Sequence, residues 1–145
     1  MLFRSEGTID KFMGDAIMAW FNAPVPQKDH TLRAVKAALA IREAVENILY
    51  KELPKEEHLA FGAGIHYGDA VLGLIGTEKR LEYTAISDSV NTAKRLQENS
   101  AKNQIIISKV AYDRVKKEIE AKPIAPVAAK GKTAPLEVYE VLGLK

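Results

Sequence analysis

There is no cysteine in these 145 residues. Its absence removes disulfides, thiolate metal sites and cysteine nucleophiles together, and the cytoplasm is the expected location. No apolar run reaches the length needed to span a bilayer. The opening Met1-Leu2-Phe3-Arg4-Ser5-Glu6 is too short and too charged for a signal peptide. Neither sign of charge prevails: 21 Lys and Arg against 19 Asp and Glu leave a formal net charge of +2. That balance gives no reason to expect a nucleic acid or an acidic membrane as partner. Repeats and low-complexity tracts are missing too. The histidines, His30, His58 and His66, are scattered without ligand spacing. What remains is a globular composition, 47% apolar and 28% charged, in a length that suits one domain with a real core. Residues 1–145 are accordingly read as a single domain.

Strand and helix signals alternate along the chain. Gly7–Met13 and Ala16–Phe21 read as a hairpin turning at Gly14-Asp15. Pro24 and Pro26 end it. Asp29 or Thr31 then caps a helix to about Tyr50, with Leu32, Val35, Ala38, Leu39 and Val45 on one side and Pro54 beyond its end. The glycine-rich stretch Leu59–Ile75 reads as two strands around Tyr67-Gly68-Asp69. Leu81–Ile86 is a further strand, followed by a helix from Ser89 to about Asn99 capped by Asp88. Gln104–Ile107 reads as a strand and Val110–Ile119 as an amphipathic helix. Ile124–Ala129 and Leu136–Val141 read as strands joined by Lys130-Gly131-Lys132. The pattern predicts an α+β fold, a sheet packed with helices.

Three places carry chemistry-bearing residues, and each has two readings. Asp15 beside Gly14 is ordinary turn chemistry, or a carboxylate placed to ligate Mg²⁺ on a triphosphate. Lys11, two residues before Met13 on the same strand, would then reach a base or a phosphate. Asn91 and Arg95, four apart, share one helix face. That face is either solvated, or an amide and a guanidinium gripping ribose and phosphate. Lys130 and Lys132 flank a glycine in a basic loop, which is either a solvated turn or an anion site.

The motifs taken together, in order, resemble one family. Gly7–Phe21, containing Lys11-Phe12-Met13-Gly14-Asp15, looks like the second-metal hairpin of class III adenylyl and guanylyl cyclases. Gly64-Ile65-His66-Tyr67-Gly68, with Gly73 and Gly76, resembles that family's glycine-spaced strands. Glu82 to Asn91 resembles its strand-to-helix junction. Lys130-Gly131-Lys132 with Leu136-Glu137-Val138-Tyr139 resembles its closing hairpin. The resemblance covers essentially the whole chain.

That resemblance implies a ferredoxin-like sheet lacking the family's first strand and first helices. It also implies an adenylate cyclase activity, turning ATP into cyclic AMP and pyrophosphate. Asp15 matches the second metal aspartate, Lys11 the adenine-reading lysine and Thr84 the other base-contacting position. Asn91 matches the residue that orients the ribose, Arg95 the arginine that steadies the transition-state phosphate, and Lys130 the lysine on the terminal phosphates. Ser87 departs from the pattern, standing where glycine is common. The family implies two divalent metal ions, Mg or Mn, and a head-to-tail homodimer whose partners share each site. The first metal aspartate has no counterpart, so this chain alone is expected to be inactive or nearly so, with strand exchange or unusual self-association filling the sheet. A non-catalytic dimerisation or nucleotide-binding module is the alternative, and an unrelated α+β domain is the third reading.

Overall fold

A computed structural model of the chain describes residues 7–13, 15–55, 61–77, 80–128 and 134–145. It opens with a hairpin of β1 (Thr8–Met13) and β2 (Ala16–Trp20). The loop that follows is closed by reciprocal bonds: Asn22 N donates to Gln27 Oε1 and Gln27 N to Asn22 Oδ1. Helix α1 (His30–Ala44) comes next, widening into a π-type turn at Val45–Leu49 before a single turn, α2 (Tyr50–Glu52). Then follow β3 (Gly62–Ile65), β4 (Val71–Thr77), β5 (Arg80–Ile86), α3 (Asp88–Glu98), β6 (Gln104–Ser108), α4 (Lys109–Val115), β7 (Ile119–Val127) and β8 (Leu136–Leu144).

Among the described residues the strands form three sheets. A four-stranded sheet has the order β3-β6-β8-β7, while β1-β2 and β4-β5 are two-stranded ribbons. The body of the molecule is built on β6. Ile105, Ile106 and Ile107 are all at most 1% exposed, as expected of a strand covered on both faces. Ile105 and Ile107 join Val35 and Ala38 of α1 and Ala111 and Val115 of α4. On the other face, Ile106 meets Leu96 of α3, Val127 and Val138. Gly64 lets α3 lie directly on β3, because any side chain there would run into the helix backbone at Ala93 and Gln97.

Several expectations need correction. The helix read over Val110–Ile119 ends at Val115, and Ile119 instead begins β7. That strand carries Pro123 and Pro126, tolerated because β7 is the edge of its sheet and needs no donor on its outer side. The cap of α3 is Ser87, one residue before the predicted Asp88; its hydroxyl accepts from Val90 N. Asp29 does stand at the start of α1, but its carboxylate bonds Arg33 Nε at 2.7 Å in place of a backbone amide. The two strands of the glycine-rich stretch pair apart from each other, β3 parallel to β6 and β4 antiparallel to β5. β8 bulges between Val141 and Gly143, and the Arg42 guanidinium of α1 donates to the carbonyls of Val141 and Leu142 there.

Candidate functional site

Four of the six predicted site residues, Lys11, Thr84, Asn91 and Arg95, fall on three elements that succeed one another in space. β1 packs beside β5, and β5 abuts α3. Lys11 lies on β1, paired with Met18, and Thr84 lies on β5, paired with Gly73; both are placed by backbone position. The β1 ladder skips Asp10 and is regular from Lys11 to Met13. A bulge just before Lys11 twists the strand locally, a device that re-aims the residues following it. The sequence carries no mark of that bulge.

Asp15 occupies the turn between β1 and β2 and is exposed. The fold brings its hairpin to β5, but among the described residues no hydrogen bond or ion pair joins Asp15 to Asn91 or Arg95. Lys130 lies outside the described residues.

Helix α3 presents the two remaining candidates. Its start is fixed by the Ser87 cap, with Asp88 in the first turn complementing the helix dipole. Thr92 and Leu96 point inward and are buried. Asn91 and Arg95, one turn apart, are exposed and half-buried respectively. Among the described residues, neither side chain has a hydrogen-bond or charged partner. Arg33, Arg42 and Arg114, by contrast, are all engaged. A guanidinium without a protein acceptor keeps its fork of donors for an outside anion, and an amide can donate to and accept from a sugar hydroxyl. The departure at Ser87 thus has a structural role as the cap, for which serine next to a strand end was the available signal.

Among the described residues no group of three or more His, Cys, Asp or Glu side chains could hold a metal ion. One exposed carboxylate, Asp15, does not make a two-metal site. A cleft of about 190 Å³ beside α1 and α4, lined by Lys28, Thr31, Leu32 and Arg114 among others, includes none of the candidate residues. No helix among the described residues is long and apolar enough to cross a membrane.

Comparison with known proteins fits this arrangement. The profile of the adenylate and guanylate cyclase catalytic domain matches residues 8–143. Adenylate cyclase 1 of Rhizobium meliloti is 36% identical over 145 residues, which is 96% of this chain and 21% of that protein. The chain therefore spans about a fifth of that relative's length. Among solved structures, the adenylyl cyclase CyaB from P. aeruginosa superposes with a TM-score of 0.89 at 31% identity, covering 97% of this chain and 74% of that one. The guanylyl cyclase Cya2 gives 0.84 at 33%, covering 99% and 74%. The α+β fold is that of these catalytic domains. This chain belongs to the adenylate and guanylate cyclase catalytic domain family, the class III nucleotide cyclases, whose members are lyases.

Proposed function

We propose that the chain acts as a single adenylate cyclase catalytic domain, in the cytoplasm, within a cyclic-nucleotide signalling protein. The observation that carries this reading is the pair Asn91 and Arg95 on α3, whose side chains have no partner among the described residues, on the helix that follows Thr84's strand. In the reaction the ribose 3′ oxygen of ATP attacks the α-phosphorus. The bond from that phosphorus to the bridging oxygen breaks, pyrophosphate leaves, and the hydroxyl proton is lost. Asn91 orients the ribose, and Arg95 holds the charge that builds on the α-phosphate oxygens. Lys11 and Thr84 read the adenine, and Lys130 holds the terminal phosphates. The adenylate cyclase of R. meliloti supports ATP; the likeness to a guanylyl cyclase makes the base a matter for direct assay.

Cyclases of this class generally use two divalent cations to neutralise the triphosphate. Asp15 would hold one of them. The described residues do not complete the set, so no step is assigned to metal here. Under this reading the chain alone is inactive or nearly so, because its sequence matches one of the family's two metal aspartates, Asp15. In the head-to-tail dimer expected of the family, Lys11, Asn91 and Arg95 of this chain stand opposite the metal aspartates of a partner that carries both.

The test is cyclic AMP formation from Mn²⁺-ATP by the chain alone and mixed with a partner. The partner is a longer cyclase domain that keeps both metal aspartates but lacks its own Asn and Arg. Activity confined to the mixture is the expected outcome. Silence in both tubes despite proven association favours a non-catalytic dimerisation or nucleotide-binding module.

A further inference from the structure

Away from the candidate residues, three elements meet around one aromatic ring. Tyr67 lies in the connection 66–70 between β3 and β4 and is 38% exposed. On one side its ring stacks on His30 at the start of α1, with centroids 5.4 Å apart and planes 21° from parallel. The guanidinium carbon of Arg114, from α4, sits 4.2 Å from the ring centroid. Arg114 also donates from Nε to Thr31 Oγ1 at 3.2 Å, and its Nη2 lies 3.3 Å from His30 Nε2.

These contacts fix the protonation of the imidazole. A guanidinium has donors and no acceptor, and it does not lose its proton. His30 Nε2 must therefore offer its lone pair to Arg114. The ring proton then sits on Nδ1 and donates to Thr31 Oγ1 at 3.2 Å. A second proton on Nε2 would remove an acceptor from Arg114 and set two cations against each other. The surroundings bear this out: burial first, then the Arg114 charge, lowers the His30 pKa below its ordinary value, against the opposing pull of Asp29.

The charged groups around the ring come from every packed element. On and before α1 lie Lys28, Asp29 and Arg33, of which Asp29 is paired with Arg33 at 2.7 Å. Arg114 belongs to α4, and Glu118 lies just beyond it in the same cleft. The connection itself carries His66 and Asp69. His66 turns its Nδ1 to the hydroxyl of Ser108, the cap of α4, at 2.8 Å, and its Nε2 lies beside Gly68 of the connection. The far side of the connection leans on the candidate site: Gly68 packs so tightly against Ser89, in the first turn of α3, that a Cβ would collide with its hydroxyl.

We propose that His30, Tyr67 and Arg114 form a proton-operated latch that pins the connection 66–70 to α1 and α4 and so steadies the start of α3. Neutral His30 closes it and protonation opens it. The consequence for nucleotide rests on the role given above to Asn91 and Arg95; the latch itself does not. His30 binds a proton less readily in the fold than in the unfolded chain. Its contribution to stability is therefore complete above the ordinary imidazole pKa and is lost as the pH falls below it.

The experiment is NMR on the full chain from about pH 8 to about pH 5, a span chosen to cover histidine titration. Amide-exchange protection of residues 66–70 is read relative to intrinsic rates. In the wild type, protection falls several-fold with the midpoint of the His30 ring, and the neutral ring carries its proton on Nδ1. His30→Gln, uncharged throughout, gives a flat profile, while His66→Gln keeps the wild-type one. A flat wild type, a sloping His30→Gln, or a Tyr67 amide whose midpoint departs from that of the His30 ring overturns the latch. The last comparison needs no variant, so a misfolded mutant leaves the test intact. Mn²⁺-ATP affinity, measured alongside, weakens with the same midpoint. A connection that opens while affinity stays constant overturns the link to α3. ATP that binds at no pH counts against the roles of Asn91 and Arg95, and the exchange profile still decides the latch.

Discussion

The four-stranded body and the ribbon side, with the outer face of α3, use their side chains in opposite ways. In the body, Ile105, Ile107, Val35 and Val141 are sealed from water, and its arginines are used up inside the protein. Arg42 satisfies the bulged carbonyls of β8, and Arg114 ties α4 to α1 and to Tyr67. Around the ribbons and α3 three candidate groups remain unspent among the described residues: Asp15 and Asn91 are exposed, and Arg95 has no side-chain partner. An unpaired polar group near a protein surface stabilises nothing by itself. It gains its value when a ligand or another chain arrives. The body therefore sets stability, while the proposed binding falls to the ribbons and the outer face of α3.

That division can be broken in three ways. The largest effect is expected in the body. Ile105→Ala leaves a cavity between the sheet, α1 and α4 and costs about 3 kcal/mol, read as a lower urea midpoint with the slope unchanged. Next comes Arg95→Ala, expected to lower cyclic AMP formation in the mixed assay by about 100-fold, the scale of losing one charge-stabilising donor. Its unfolding midpoint stays in place, because the guanidinium makes no bond among the described residues. If Arg95→Ala unfolds the chain, the division fails. The smallest is Ser87→Ala, which removes the α3 cap and costs about 1 kcal/mol. Ser87→Asp restores the loss in a thermal melt. A loss that Asp fails to restore would mean that the cap is not what serine supplies.

Local signals were enough for much of this. The β1–β2 hairpin follows from Gly14-Asp15 between two strand-like runs, and α1 follows from its apolar spacing and the prolines on either side. The α3 pair was visible as a four-residue spacing. What escaped depends on partners far away in sequence. β7 reads poorly because Pro123 and Pro126 argue against a strand, and only its edge position makes them harmless. The bulge at Asp10 shows itself in the pairing of β1 with β2, and nowhere in composition. The cluster at Tyr67 unites residues 30, 67 and 114, none of which has a motif. As to the site, residue type and spacing marked the candidates, but whether they converge is a property of β1, β5 and α3 packing side by side. Among the described residues the strands fall into three sheets, and the dimer expected to complete the site is tested by the mixed assay.

The place of β8 has a consequence for how such a chain is made. It is the last described strand in sequence, yet it lies between β6 and β7 in the sheet, and Arg42 reaches it across a separation of 99 residues. While the ribosome is still extending the chain, β6 has no antiparallel neighbour, and Ile105–Ile107 cannot be sealed until residues 136–144 emerge. Between the synthesis of residues 108 and 144 the nascent domain thus carries its isoleucine strand uncovered, the interval in which chaperones and neighbouring chains have access to it.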